Sequence, residues 1–159
     1  MNKPVTGKFR KRNIYIILTA FIIVFALVGL WYVISLSIPG EKSAERILKK
    51  DKELLDTVVT YIVNADRDIS LLAYNYEASS DYNDIRDENV KRAIEQLFDR
   101  NYSSINTEDG TVYFLRWTRG KDFGAGLAYT LDEKDTPQGY YLIKASPLTQ
   151  KCWYYYEEN

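Results

Sequence analysis

SSINTEDGTVYFLRWTRGKDFGAGLAYTL, residues 103–131, reads as antiparallel hairpins. Glu108-Asp109-Gly110 carries the Asp-Gly pair that a tight turn between twisted strands requires, so Ser103–Thr107 and Thr111–Thr118 are predicted to pair across it. Gly120 to Gly124 marks a second turn. Ala125–Leu131 is predicted as the next strand, with Leu127, Tyr129 and Leu131 on one face. Downstream, a charged loop from Asp132 to Gly139 holds Pro137. Tyr140–Ala145 and Cys152–Tyr156 complete the predicted meander, separated by Ser146-Pro147.

Upstream, the pattern changes period. Val90, Ala93, Ile94, Leu97 and Phe98 fall at i, i+3, i+4, i+7 and i+8, which predicts a helix from about Arg86 to Arg100. Asp84 or Asp87 is placed to cap it, and Asn101 to stop it. Glu88 with Arg92, and Lys91 with Glu95, are spaced as ion pairs on its wet face. Ile69 to Tyr76 is short and rich in strand formers, so a strand is predicted there. A longer helix is expected from Ser43 to Asn64. Its apolar positions are Ala44, Ile47, Leu48, Leu54, Leu55, Val58, Val59 and Ile62, with Asp51 interrupting the stripe. The charged start of this helix, within residues 39–53, is predicted to be a solvated stalk.

Helix, strand, helix and then four or five strands is an α+β order. It predicts an antiparallel sheet packed by two helices on one face. This element order is similar to that of the NTF2-like and cystatin-like superfamilies, whose cone-shaped sheets wrap a long helix. The resemblance implies a domain of the kind found behind membrane anchors in bacterial secretion and cell-envelope proteins. It rests on element order and carries no motif, so it implies no activity.

Residues 14–38 contain no charged side chain. Those 25 residues would rise about 37 Å as a helix, enough to cross a hydrocarbon core of ~30 Å. Tyr15 stands at one end, and Trp31 and Tyr32 lie toward the other, where amphipathic rings favour the interface. Lys8, Arg10, Lys11 and Arg12 lie within six positions of the segment's start. Such a bias retains the amino end in the cytoplasm. The expected layout is a basic cytoplasmic tail (1–13), a single transmembrane helix (14–38) and an extracytoplasmic domain (39–159). The apolar run is much longer than the ~7–15 residues of a cleavable signal peptide, so an uncleaved anchor in the cell membrane is expected.

The whole chain has 21 basic and 22 acidic residues, but five of the basic ones lie in the tail. The outer domain thus holds 16 basic against 22 acidic residues, a net of −6. That average predicts repulsion from nucleic acid and from anionic lipid. There is no histidine, which removes histidine-based triads, metal ligation and pH switching. The single cysteine, Cys152, forms no internal disulfide. No phosphate-binding glycine loop occurs, and Asp81, Asp84, Asp87 and Glu88 do not match a calcium loop. No cofactor, metal or catalytic residue is assigned.

Two stretches are candidates for partner binding. In the terminal strand, Trp153 and Tyr155 face one side and Tyr154 and Tyr156 the other, so one pair could form an aromatic platform. Arg116 and Arg119, bracketing Trp117 and Gly120 with Lys121, could hold a carboxylate or another anion. The expectation is a non-enzymatic binding or assembly module of a bacterial envelope, with a protein partner or self-association. The alternative is a ligand sensor or acidic-residue enzyme with a pocket in a concave sheet. The topology is testable. With Lys8, Arg10, Lys11 and Arg12 all changed to Glu, insertion should weaken or invert. Protease added to intact cells should digest the wild-type outer domain; protection of that domain would reverse the assigned sides.

Overall fold

A computed structural model describes residues 19, 21–29, 39–65, 68–119, 123–132, 134–139 and 141–159. The chain divides into two compact units, Met1–Ser37 and Ile38–Asn159. In the first, helix α1 is described over residues 21–29, and its apolar side chains, Phe21 and Phe25 among them, are exposed. The basic tail and most of segment 14–38 lie outside the described residues. Among the described residues, no helix is long and apolar enough to cross a membrane.

The second unit is an α+β domain. Helix α2 (Glu41–Ala65) leads to strand β1 (Ser70–Leu72), a 3-10 turn (Tyr76–Ala78), the short helix α3 (Ser80–Asn83) and helix α4 (Glu88–Asp99). Strands β2 (Ser104–Glu108), β3 (Thr111–Thr118), β4 (Gly124–Thr130), β5 (Leu142–Pro147) and β6 (Trp153–Glu158) follow. The six strands form one antiparallel sheet in the order β1-β2-β3-β4-β6-β5. The end of the sheet therefore departs from a simple meander, because β6 inserts between β4 and β5. The β2–β3 turn is as expected: Asp109 and Gly110 both have positive φ, 47° and 72°, as the Asp-Gly hairpin demands.

One face of the sheet packs on α2 and α4. The main core joins Leu48, Leu55, Val58 and Ile62 of α2 with Ile94 and Leu97 of α4 and with Ile105, Phe114, Leu127 and Trp153 of the sheet. Helix α4 matches its sequence pattern closely. Asp87 caps it by accepting a hydrogen bond from the Asn89 N–H at 2.8 Å. Asn101 ends it in the left-handed region at φ 68°. The Tyr102 N–H then donates back to the Leu97 carbonyl and the Asn101 N–H to that of Phe98, which satisfies two otherwise orphaned acceptors. The expected Lys91–Glu95 pair gives way to others: Lys91 lies 3.9 Å from Glu88, and Glu95 accepts from the Tyr82 hydroxyl.

The first half of α2 is not a solvated stalk. Ala44, Leu48 and Asp51 are buried, on the same stripe as Leu55, Val58, Val59 and Ile62. The charged side chains around them hide this, because they occupy the remaining faces. Two of them fasten the helix start to the sheet. Glu41 pairs with Lys144 of β5 at 3.0 Å, and Glu45 accepts from the Thr149 N–H and hydroxyl. The predicted strand over Ile69 to Tyr76 is likewise cut to Ser70–Leu72, since the chain turns at Ala73 into the 3-10 segment.

The opposite face of the sheet has its own cover. Tyr113, Ala128 and Tyr156 form a second buried cluster. The Tyr113 hydroxyl donates to the Gln138 carbonyl at 2.7 Å, and the Tyr154 hydroxyl to that of Asp135 at 3.0 Å. The predicted loop around Pro137 is thus held across the back of the sheet, with Pro137 buried.

Stability should follow this packing. Leu97→Ala and Leu48→Ala should each cost about 2–5 kcal/mol in thermal unfolding of the fragment starting at Glu41, through lost transfer energy plus a cavity. Lys49 is exposed, so Lys49→Ala should stay within about 0.5 kcal/mol. A Leu48→Ala effect as small as that of Lys49→Ala would restore the stalk.

Candidate functional site

The most organised polar site of the domain lies inside it. Asp51 occupies a core position of α2, three residues after Leu48 and four before Leu55, and its side chain is fully buried. Two hydrogen-bond donors and a second guanidinium from elsewhere in the chain converge on it. Arg100 Nη1 donates to Oδ1 at 2.6 Å. The Tyr102 hydroxyl donates to Oδ2 at 3.1 Å. Arg116 Nη1 stands 3.5 Å from Oδ2.

Local structure explains why these residues meet. Arg100 and Tyr102 flank Asn101, so the turn ending α4 brings both to the same end of that helix. Arg116 sits at a β-bulge: Leu115 pairs with Gly126 and Trp117 with Ala125, leaving Arg116 as the extra residue. The bulge rephases β3, so Trp117 packs toward the helices rather than away from them. Gly126 makes this approach possible. A Cβ there would lie 2.0 Å from the Phe114 carbonyl oxygen, so no larger residue fits.

The electrostatics are those of a lock. A carboxylate sealed from water is tolerated only with strong compensation. Here two guanidinium groups face one carboxylate, giving the cluster a local excess of one positive charge. Arg100 remains 37% exposed, whereas the Arg116 side chain is 12% exposed. The Arg116 guanidinium also lies 4.7 Å from the centre of the Tyr102 ring, a cation–π contact. Burial and the Asp51 charge push the Tyr102 phenol far above its usual range, so it remains protonated and donating. Arg116 Nη1 is buried without a hydrogen bond, so Arg116 is held in the cluster by its ion pair with Asp51 and its contact with the Tyr102 ring.

The sequence candidates are placed differently from expectation. Arg116 does hold a carboxylate, but that of Asp51. Arg119 is exposed beyond the end of β3, where its backbone N–H closes the hairpin onto Phe123. The two arginines do not form one site, and Lys121 lies outside the described residues. In β6 the expected alternation holds: Trp153 and Tyr155 enter the main core and Tyr156 the back cluster. All three are buried and Tyr154 is half-buried. They form no exposed platform, which corrects that expectation. Among the described residues of the domain, the exposed rings are Tyr74 and Tyr141, at 81% and 64%.

The inner face of the sheet is filled by α2 and α4. A cleft of about 270 Å³ remains at its end, beside the β2–β3 turn, lined by Ile62, Val63, Asp68, Thr107 and Val112. Among the described residues, Asp68 is the carboxylate lining it. Among the described residues, no group of three or more Cys, Asp or Glu is arranged to hold a metal. In the acidic loop, Asp87 caps α4, and Asp81 accepts from the Ser70 N–H at 2.8 Å.

Comparison with known proteins adds no assignment: no family model, no curated protein and no solved structure matches the chain.

The lock has a measurable weight. Asp51→Ala leaves the half-buried Arg116 without its counter-ion and should cost about 3–5 kcal/mol in urea unfolding. Arg100→Gln should cost about 1 kcal/mol, because that side chain is partly solvated and Arg116 remains. Equal and small effects would mean that the cluster does not hold α2 to the sheet.

Proposed function

We propose that this chain is a single-pass protein of a bacterial cell membrane, amino end inside, whose outer domain is a non-enzymatic binding or assembly module. The observation that carries the anchor is the uncharged run of residues 14–38 beside Lys8, Arg10, Lys11 and Arg12. The described part of that run adds support. Phe21, Ile22, Phe25 and Leu27 of α1 are 59–69% exposed, a surface that suits hydrocarbon and is unfavourable in water.

The module reading draws on how the domain uses its reactive side chains. Its most buried charges, Asp51 and Arg116, are committed to each other, and most of its tyrosines fill two cores. A single sheet packed on a long helix is in keeping with the resemblance in element order to the NTF2-like and cystatin-like superfamilies. What remains for a partner are exposed apolar side chains toward the two sheet edges. Leu72 and Tyr74 lie at and just beyond β1, and Tyr141 and Ile143 at and just before β5. Edge strand β5 is blunted against indiscriminate pairing by a bulge at Ile143, by Lys144 and by Pro147. That favours recognition through side chains over strand addition.

Position-specific photo-cross-linking in intact cells tests this. A reactive residue at Tyr74 or at Tyr141 should give a discrete protein adduct, of another protein or of a second copy. One at Asn83, exposed at the end of α3, should give none. No adduct from either edge would remove the basis of the reading.

A further inference from the structure

We infer that the exposed face of the first turns of α2 binds the anionic headgroups of the membrane in which the chain is anchored. This rests on the anchor proposed above. Lys42, Arg46, Lys49 and Lys50 are all exposed and recur at i, i+4, i+7 and i+8, one side of a helix. The opposite side is fixed in the core by Ala44, Leu48 and Asp51, so the helix cannot roll to redistribute these charges.

The acids in the same turns do not cancel them. Glu41 is paired with Lys144 and Glu45 is turned to Thr149. Asp51 is buried. Glu53 adds a negative charge on the stripe's side and Glu45 acts on Lys49 from its flank, two against four positive ones. The net of −6 for the outer domain therefore conceals a surface of opposite sign, and the repulsion from anionic lipid expected of the average does not apply to this face. Stability of the helix does not account for the arrangement, since Lys42 stands in the first turn, where the helix dipole disfavours a cation.

Chain length supplies the occupant. The uncharged segment ends at Ile38 and α2 begins at Glu41, with Pro39-Gly40 between them. Two residues span at most about 7 Å, and the stripe itself extends about 12 Å along the helix. The packing of α2 from its first turns leaves no spacer. The stripe thus begins at Lys42, four residues along the chain from the end of the uncharged segment, which keeps its cations within chain reach of anionic headgroups.

The test is lysine footprinting on the full chain in vesicles. One set contains phosphatidylcholine alone and the other also contains phosphatidylglycerol. Acylation of Lys42, Lys49 and Lys50 should slow several-fold in the anionic vesicles and recover in high salt. Lys134, exposed in the loop behind the sheet, should react equally in both. Equal rates for the stripe lysines in the two vesicle types would overturn the inference. So would protection that is the same without anionic lipid, which signals contact between copies of the protein. An alkaline wash separates the two levels of the argument. A chain that washes off the vesicles fails as an anchored protein, whereas one that stays with unprotected lysines fails only this inference.

Discussion

A carboxylate at the centre of a helix's buried face constrains everything packed around it. Asp51 must find donors from outside its own helix, because its neighbours on the stripe are Leu48 and Leu55. The donors come from two places far apart in sequence, the end of α4 and the bulge of β3. Three elements are thereby held in one relative position: α2 in rotation about its axis, α4 at its carboxy-terminal turn, and β3 in register. An apolar side chain at position 51 would fill space without this directionality. By analogy with other buried ion groups, the gain is in specificity of arrangement as much as in stability.

The aromatic content of the sheet follows a related economy. Residues 39–159 number 121, a size at which burial must be efficient. Strand β6 helps by presenting Trp153 and Tyr155 to the helices and Tyr156 to the back of the sheet. Its neighbour β4 offers Gly124, Ala125, Gly126 and Ala128, small residues that leave room for large rings on both sides. Tyr113 and Tyr156 meet edge to face at 5.0 Å, a favourable geometry. The hydroxyls of Tyr113 and Tyr154 then pin the 134–139 segment over that face. Tyrosine supplies apolar area and a donor at once, which explains its abundance here without invoking a ligand.

Local signals made much of this legible. The period of Val90 to Phe98, the cap at Asp87, the stop at Asn101 and the Asp109-Gly110 turn each act over a few residues, and the folded domain uses them as the pattern implies. Non-local pairing was not legible. Nothing within β5 or β6 announces that β6 lies between β4 and β5, because strand order depends on contacts across the whole sheet. Asp51 was visible but read with the wrong sign. Its phase matches Leu48 and Leu55, and a charge in phase with a buried stripe marks a buried, compensated carboxylate. The same oversight turned the helix start into a stalk. Its abundant Lys and Glu mask three buried positions, Ala44, Leu48 and Asp51. The pattern around Arg116 marks it for carboxylate binding, and the carboxylate it meets is Asp51 of the same chain.

The account stands on α2 being one continuous core element from its first turns. That fixes which side of the helix its basic residues occupy, because Ala44, Leu48 and Asp51 hold the other side in the core. Native-state hydrogen exchange of the full chain measures this residue by residue. The account predicts that the amides of residues 48–52 exchange only through global opening, as slowly as those of residues 55–59. Fast exchange of residues 48–52 through local fraying, while residues 55–59 stay protected, would contradict it.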